Sequence, residues 1–111
     1  MTKAILRATV YYVSRSVAEP VLLVLASLTS GPKHGYAIIC DIEERAGRRL
    51  GPGTLYGIIG RLEKAGHIRA LEMEERGRRP YSITAAGKES LKDHMESLAR
   101  YQRALRSLAS G

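Results

Sequence analysis

Arg76, Arg78 and Arg79 fall within four positions around Gly77. A guanidinium is a planar fork of donors that matches phosphate oxygens, so three of them on one turn suit a nucleic-acid backbone or a minor groove. A solvated loop would carry the same residues without binding anything. Lys33 and His34 stand just ahead of an expected helix, where side-chain cations and free amides could hold a phosphate together. A plain surface role fits that pair equally well. Farther along comes Gly51-Pro52-Gly53-Thr54-Leu55-Tyr56-Gly57, followed by Gly60, Arg61 and Lys64. Tyr56 is placed to offer its hydroxyl to a phosphate, and Tyr36 divides between such a contact and packing. Arg61 and Lys64 lie one turn on, within reach of a backbone. Arg48 and Arg49 read as solvated.

Other chemistry finds little support. There is no Gly-x-x-x-x-Gly-Lys-Ser/Thr loop, and no lysine follows Gly51-Pro52-Gly53 to grip a phosphate. His34, His67, His94 and Cys40 are far apart without ligand-like spacing, so neither a metal nor a cofactor is expected. Scattered Ser, His and Asp residues do not make a triad. The chain does not read as an enzyme. A net charge of +7 instead calls for a polyanionic partner, nucleic acid or an anionic membrane surface.

A chain of 111 residues, 44% hydrophobic and 26% charged, is long enough for one compact domain and too short for two ordinary ones. With six Tyr and neither Phe nor Trp, the core must be aliphatic. The single cysteine excludes an intrachain disulfide and fits a reducing cytosol. Because Cys40 lies in an apolar helical run, a buried and inert thiol is expected. The stretch from Val21 to Leu28 is too short to span a bilayer, and no secretory signal pattern opens the chain. A cytoplasmic protein without membrane association is the expectation.

These residues need elements to position them. Residues 4–16 fit either a short helix or an irregular arm. Glu19-Pro20 opens a helix that is apolar nearly all round and stops at Thr29-Ser30-Gly31-Pro32. A second helix runs from Gly35 to Ala46, with Tyr36, Ile39 and Ile42 at helical spacing, and Gly47 ends it. Gly51-Pro52 starts a third, with Leu55, Ile58, Ile59 and Leu62 as its inner stripe and Gly66 as its stop. Its outer face carries Thr54, Tyr56, Gly57, Gly60 and Arg61. A helix-interior glycine costs about 1 kcal/mol against alanine, so two on one outer face suggest close approach of something bulky. From His67 to Met73 the period changes to that of a strand, and Pro80–Thr84 is its partner in a hairpin with a basic tip. Pro80 is expected on an edge strand. Thr84 caps a final helix reaching about Leu108, whose Leu91, Met95, Leu98, Tyr101, Leu105 and Leu108 repeat every three or four residues.

The fold class is therefore mainly α with a small β-hairpin, a winged helix-turn-helix followed by a long helix. The units are residues 1–84, including an arm or helix at 1–18, and residues 85–111. A helix seam five turns long exceeds what so small a domain can cover, which favours a symmetric homodimer through that helix.

At the level of motifs, three segments resemble the PadR family of transcriptional regulators. They are His34-Gly35-Tyr36, then Leu50-Gly51-Pro52-Gly53-Thr54-Leu55-Tyr56, then Arg61-Leu62-Glu63-Lys64-Ala65-Gly66-His67-Ile68. The hairpin close, Arg78-Arg79-Pro80-Tyr81-Ser82-Ile83-Thr84-Ala85-Ala86-Gly87, is similar too, so the resemblance covers about residues 20–108. It implies a homodimeric repressor on a palindromic operator, with Tyr36, the Gly53-Thr54-Leu55-Tyr56 turn and the basic wing facing double-stranded DNA. A small-molecule effector of unknown identity is a further implication; an aromatic sandwich for one would rest on Tyr11, Tyr12 and Tyr101. Two features depart from the family: Gly57, where proline is common, and Glu74-Glu75 beside the wing arginines, which would reduce nonspecific attraction. Two other readings stay open: a winged protein-interaction module, which need not keep a basic wing, and an RNA-binding domain, which would show more exposed stacking aromatics.

Overall fold

The computed structural model describes residues 15–111. In chain order the elements are α1 (Arg15–Ser27), a 3₁₀ turn (Leu28–Ser30), β1 (Lys33–His34), α2 (Gly35–Ala46), α3 (Pro52–Lys64), β2 (Ile68–Ala70), a second 3₁₀ turn (Glu75–Gly77), β3 (Pro80–Ile83) and α4 (Ala85–Ala109). The arm or helix expected before α1, with Tyr11 and Tyr12, lies outside the described residues.

Three helices meet around one aliphatic core. Val24, Leu25 and Leu28 from the α1 side, Ile38 and Ile42 from α2, and Leu55, Ile58, Ile59 and Leu62 from α3 are each at most 6% exposed. Full burial of one such side chain contributes about 1.5–3 kcal/mol, so this interlock fixes how α3 is presented. Local chemistry sets the helix ends. Gly51 is the N-cap of α3 with Pro52 at its first position, and Gly47 closes α2 at φ 66° with its amide on the Glu43 carbonyl. The Thr84 hydroxyl oxygen accepts the Gly87 amide at 3.1 Å and donates to the Gly66 carbonyl at 2.6 Å, tying α4 to the end of α3. A side chain at Gly87 would collide with the His67 carbonyl and Ile83, so that glycine lets α4 close onto the sheet.

The hairpin is part of a three-stranded antiparallel sheet in the order β1-β3-β2. Lys33 pairs with Tyr81 and His34 with Pro80, while Ile68 pairs with Ile83 and Ala70 with Tyr81. Pro80 thus opens the central strand, not an edge. Its carbonyl accepts the Leu71 amide at 2.9 Å, but proline has no N–H to return the bond. Arg79 Nη1 donates to the Leu71 carbonyl instead, at 2.8 Å. With the ladder interrupted there, the strand expected through Met73 ends at Ala70.

Three more expectations need correction. The helix assigned to Glu19-Pro20 begins at Arg15, leaving Pro20 inside it. A proline early in a helix removes its own amide bond without preventing the first turn. In α2 the buried stripe is Gly35, Ile38 and Ile42, so Tyr36 faces solvent and Ile39 lies at the boundary. Cys40 is exposed. It stands about 200° around the helix from both Ile38 and Ile42, on the side away from the core.

Candidate nucleic-acid interface

α3 turns Thr54, Tyr56, Gly57, Gly60, Arg61 and Lys64 to solvent while its stripe of Leu55, Ile58, Ile59 and Leu62 is buried. A Cβ added at Gly53, Gly57 or Gly60 would meet nothing within 4 Å, so nothing inside the described chain demands glycine there. Their effect is to keep the outer surface low. No side chain caps the helix N-terminus, which leaves the amides of the exposed first turn open to an external acceptor.

Tyr56 serves two purposes. It is 52% exposed, yet its ring lies over Gly35: a Cβ at that glycine would stand 2.5 Å from the Tyr56 hydroxyl oxygen and 2.9 Å from Cζ. The start of α2 is therefore a seat that holds the tyrosine at the surface. Below it Tyr81 is buried, and that burial, followed by nearby Glu63 and Tyr56, pushes its hydroxyl above the ordinary range against the opposing effect of Arg79. Tyr36 is 68% exposed. Its hydrogen-bonded neighbour Cys40, one turn along, holds the Tyr36 hydroxyl high, with smaller contributions from burial and Glu43.

The basic residues separate into committed and open groups. Lys33 Nζ donates to the Ser27 carbonyl and to Ser30 Oγ at 2.7 Å, and lies 3.7 Å from Asp41 Oδ2. Asp41 also accepts from Ser27 Oγ at 2.5 Å and Arg45 Nη1 at 3.3 Å. The Ser27 hydroxyl, then Lys33 and Arg45, hold the Asp41 carboxyl below its usual range despite partial burial. This polar cluster ties α1 to α2, and Lys33 is spent within it. Arg49 pairs with Glu43 at 3.1 Å.

His34 is also engaged, with Nε2 2.5 Å from Glu74 Oε1. The wing tip itself is a tight reversal. Arg76 and Gly77 both take left-handed backbone, at φ 65° and 71°, and the Glu74 amide donates to the Arg78 carbonyl at 2.6 Å. Arg76 and Arg78 are exposed, and among the described residues neither forms an ion pair with Glu74 or Glu75. Arg79 is half-buried by its bond to Leu71. Arg78 lines, with His34, Tyr36 and Ala37, an open cleft of about 460 Å³ between the wing and the start of α2.

The structure thus brings Tyr56 to Gly35 and brings His34, Tyr36 and Arg78 together. It draws Lys33 and part of Arg79 into intrachain bonds. Gly35 and Glu74 are missing from the sequence-based set of site residues. Gly35 stands inside the quoted His34-Gly35-Tyr36 motif, but only the fold reveals what rests on it.

On α4, Leu91 is 8% exposed and packs in the chain's own core, so it is not part of a free seam. Met95, Leu98, Leu105 and Leu108 are 59%, 36%, 49% and 79% exposed, and Tyr101 is half-buried. Among the described residues no helix is long and apolar enough to cross a membrane, and no His, Cys, Asp and Glu side chains gather as metal ligands.

A three-helix core, a central strand leading from a basic hairpin and a protruding surface helix define a winged helix-turn-helix protein. Residues 24–93 match the sequence profile of the Transcriptional regulator PadR-like family, and the chain belongs to that family. That family is one of transcriptional regulators. It is 51% identical over 80 residues to an uncharacterized 37.1 kDa protein in transposon TN4556 of Streptomyces fradiae. That match takes in 71% of this chain but 23% of the relative, so the chain spans about a quarter of that protein's length. A transcriptional regulator from Clostridium thermocellum has a similar structure, with a TM-score of 0.75 at 28% identity over 85% of this chain and 94% of that one. Bacillus subtilis PadR, solved in complex with operator DNA, shares the fold with a TM-score of 0.60 at 22% identity, over 68% of this chain and 46% of that one.

Proposed function

We propose that this chain is a cytoplasmic repressor that binds a palindromic operator in duplex DNA as a homodimer. The observation that carries the DNA reading is the outer face of α3, where Thr54, Tyr56 and Arg61 project beside glycines that no intrachain contact explains. A 13-residue helix is about 20 Å long and fits a major groove about 12 Å wide. Thr54 to Arg61 would read base edges, with Lys64 and Tyr36 on the flanking backbone. The wing, through Arg76 and Arg78 with a lesser share from Arg79, would reach the minor groove or adjacent phosphates. That a protein of the same fold, Bacillus subtilis PadR, was solved in complex with operator DNA supports the DNA reading.

Residues 1–84 would form the DNA-binding unit and residues 85–111 the dimerisation unit, with Leu91 joining the two. Beyond Leu91 the described chain leaves Met95, Leu98, Leu105 and Leu108 exposed in part or in large part. A second copy of α4 would bury them and hold two α3 helices in two-fold relation, as two half-sites about one helical turn apart require.

Selection of bound fragments from random or genomic duplex DNA tests the reading. The expected result is an enriched inverted repeat with two half-sites. Absence of binding to any duplex at low salt would overturn it.

A further inference from the structure

His34 and Glu74 are 40 residues apart in the chain and meet at 2.5 Å, Nε2 to Oε1. The contact joins the start of α2 to the wing. On the same wing Arg78 lines, with His34 and Tyr36, the cleft of about 460 Å³ between these two elements. His34, Tyr36 and Arg78 each carry a group able to donate and all three line this solvent-facing cleft, the Tyr36 phenol meanwhile resting on Cys40. Glu74 supplies an acceptor there, on His34. A carboxylate is thus seated where the surrounding chemistry would take an anion.

We infer that His34, Tyr36 and Arg78 form a seat for one phosphodiester of duplex DNA, and that Glu74 holds the imidazole until that phosphate displaces it. The inference rests on the DNA-binding reading and adds to it a residue that sets specificity. In a loosely docked, nonspecific complex, the Glu74 carboxylate repels the backbone and His34 is already engaged. When α3 sits fully in its groove, the phosphate is carried into the cleft and exchanges with the carboxylate. Glu74 therefore weakens nonspecific binding more than operator binding. Glu75, one residue on, bears the same charge and has no contact with His34 among the described residues.

The test measures binding of the full chain to a mixed-sequence duplex across a salt series. Glu74→Gln is compared with Glu75→Gln, His34→Ala and the double variant His34→Ala/Glu74→Gln, and each fold is checked by circular dichroism. Glu74→Gln is expected to tighten binding about three- to tenfold and Glu75→Gln by less than about twofold. In the His34→Ala background, the gain from Glu74→Gln is expected to fall to the less than about twofold of Glu75→Gln, since only the general charge effect is left once the coupled partner is gone. Equal gains from both glutamate variants, no gain from Glu74→Gln, or a gain undiminished by loss of His34 would each overturn the inference while leaving the DNA reading intact. A wild-type chain that binds no duplex would overturn the DNA reading and the inference with it.

Discussion

Arg79 donates through Nη1 to the Leu71 carbonyl at 2.8 Å, completing a ladder bond that Pro80 cannot supply. One guanidinium of the wing is thereby part of the sheet, whereas the neighbouring Arg78 is exposed. The two arginines should therefore behave differently. Arg78→Ala is expected to leave the melting temperature nearly unchanged and to reduce the salt slope of DNA binding by about one phosphate. Arg79→Ala is expected to destabilise the fold by about 0.5–1.5 kcal/mol, the worth of a net hydrogen bond, with a smaller change in slope. Denaturant titration alongside salt-dependent binding separates them.

Gly35 leaves the space that the Tyr56 hydroxyl occupies, 2.5 Å from where a Cβ would stand. Gly35→Ala should force the ring outward and destabilise the protein by about 1–3 kcal/mol, as overpacking does. Removing the hydroxyl relieves the nearest clash, so Gly35→Ala/Tyr56→Phe is expected to recover part of the loss. Thermal melts of the two variants check this.

Arg76 holds a left-handed backbone at φ 65°, which an L residue adopts at a cost. Arg76→Gly should raise stability by up to about 1 kcal/mol while weakening DNA binding. Improved binding in that variant would contradict a DNA-facing role for the side chain.

Asp41 has its carboxyl held low by the Ser27 hydroxyl, then by Lys33 and Arg45. A carboxyl depressed in the folded state contributes stability that is fully present above its unfolded pKa. That contribution is lost as pH falls through the folded value. Wild-type stability should decline below about pH 4, the ordinary carboxylate range. Asp41→Asn should cost about 1–2 kcal/mol at neutral pH and flatten the acid decline. Urea midpoints from pH 7 down to about pH 3 would show both effects.

Leu105 is 49% exposed on α4. Leu105→Asp should leave the monomer fold intact, abolish self-association in sedimentation equilibrium, and weaken operator binding more than binding to a single half-site. A wild-type chain that is monomeric at micromolar concentration would contradict the dimer.

Much of the scaffold was legible from local patterns. The stripe of Leu55, Ile58, Ile59 and Leu62, the caps at Thr84 and Gly51-Pro52, and the stop at Gly47 are short-range effects, set by helical period and by what each residue's backbone permits. The exposed arginines at positions 76 and 78 follow from their place in a turn. By itself the sequence determined the course of α2, α3 and α4, which face of α3 is inward, and where the basic wing falls.

The tertiary structure decided how the polar groups are shared. β1 is only two residues long and carries no period; it exists because Lys33 and His34 lie against Tyr81 and Pro80. The assignments of Lys33 to the Asp41 cluster, His34 to Glu74 and Leu91 to the core depend on partners from other elements. Side-chain hydrogen bonds and packing act over a few ångströms in space, so separation along the chain says nothing of them until the fold has brought the partners together.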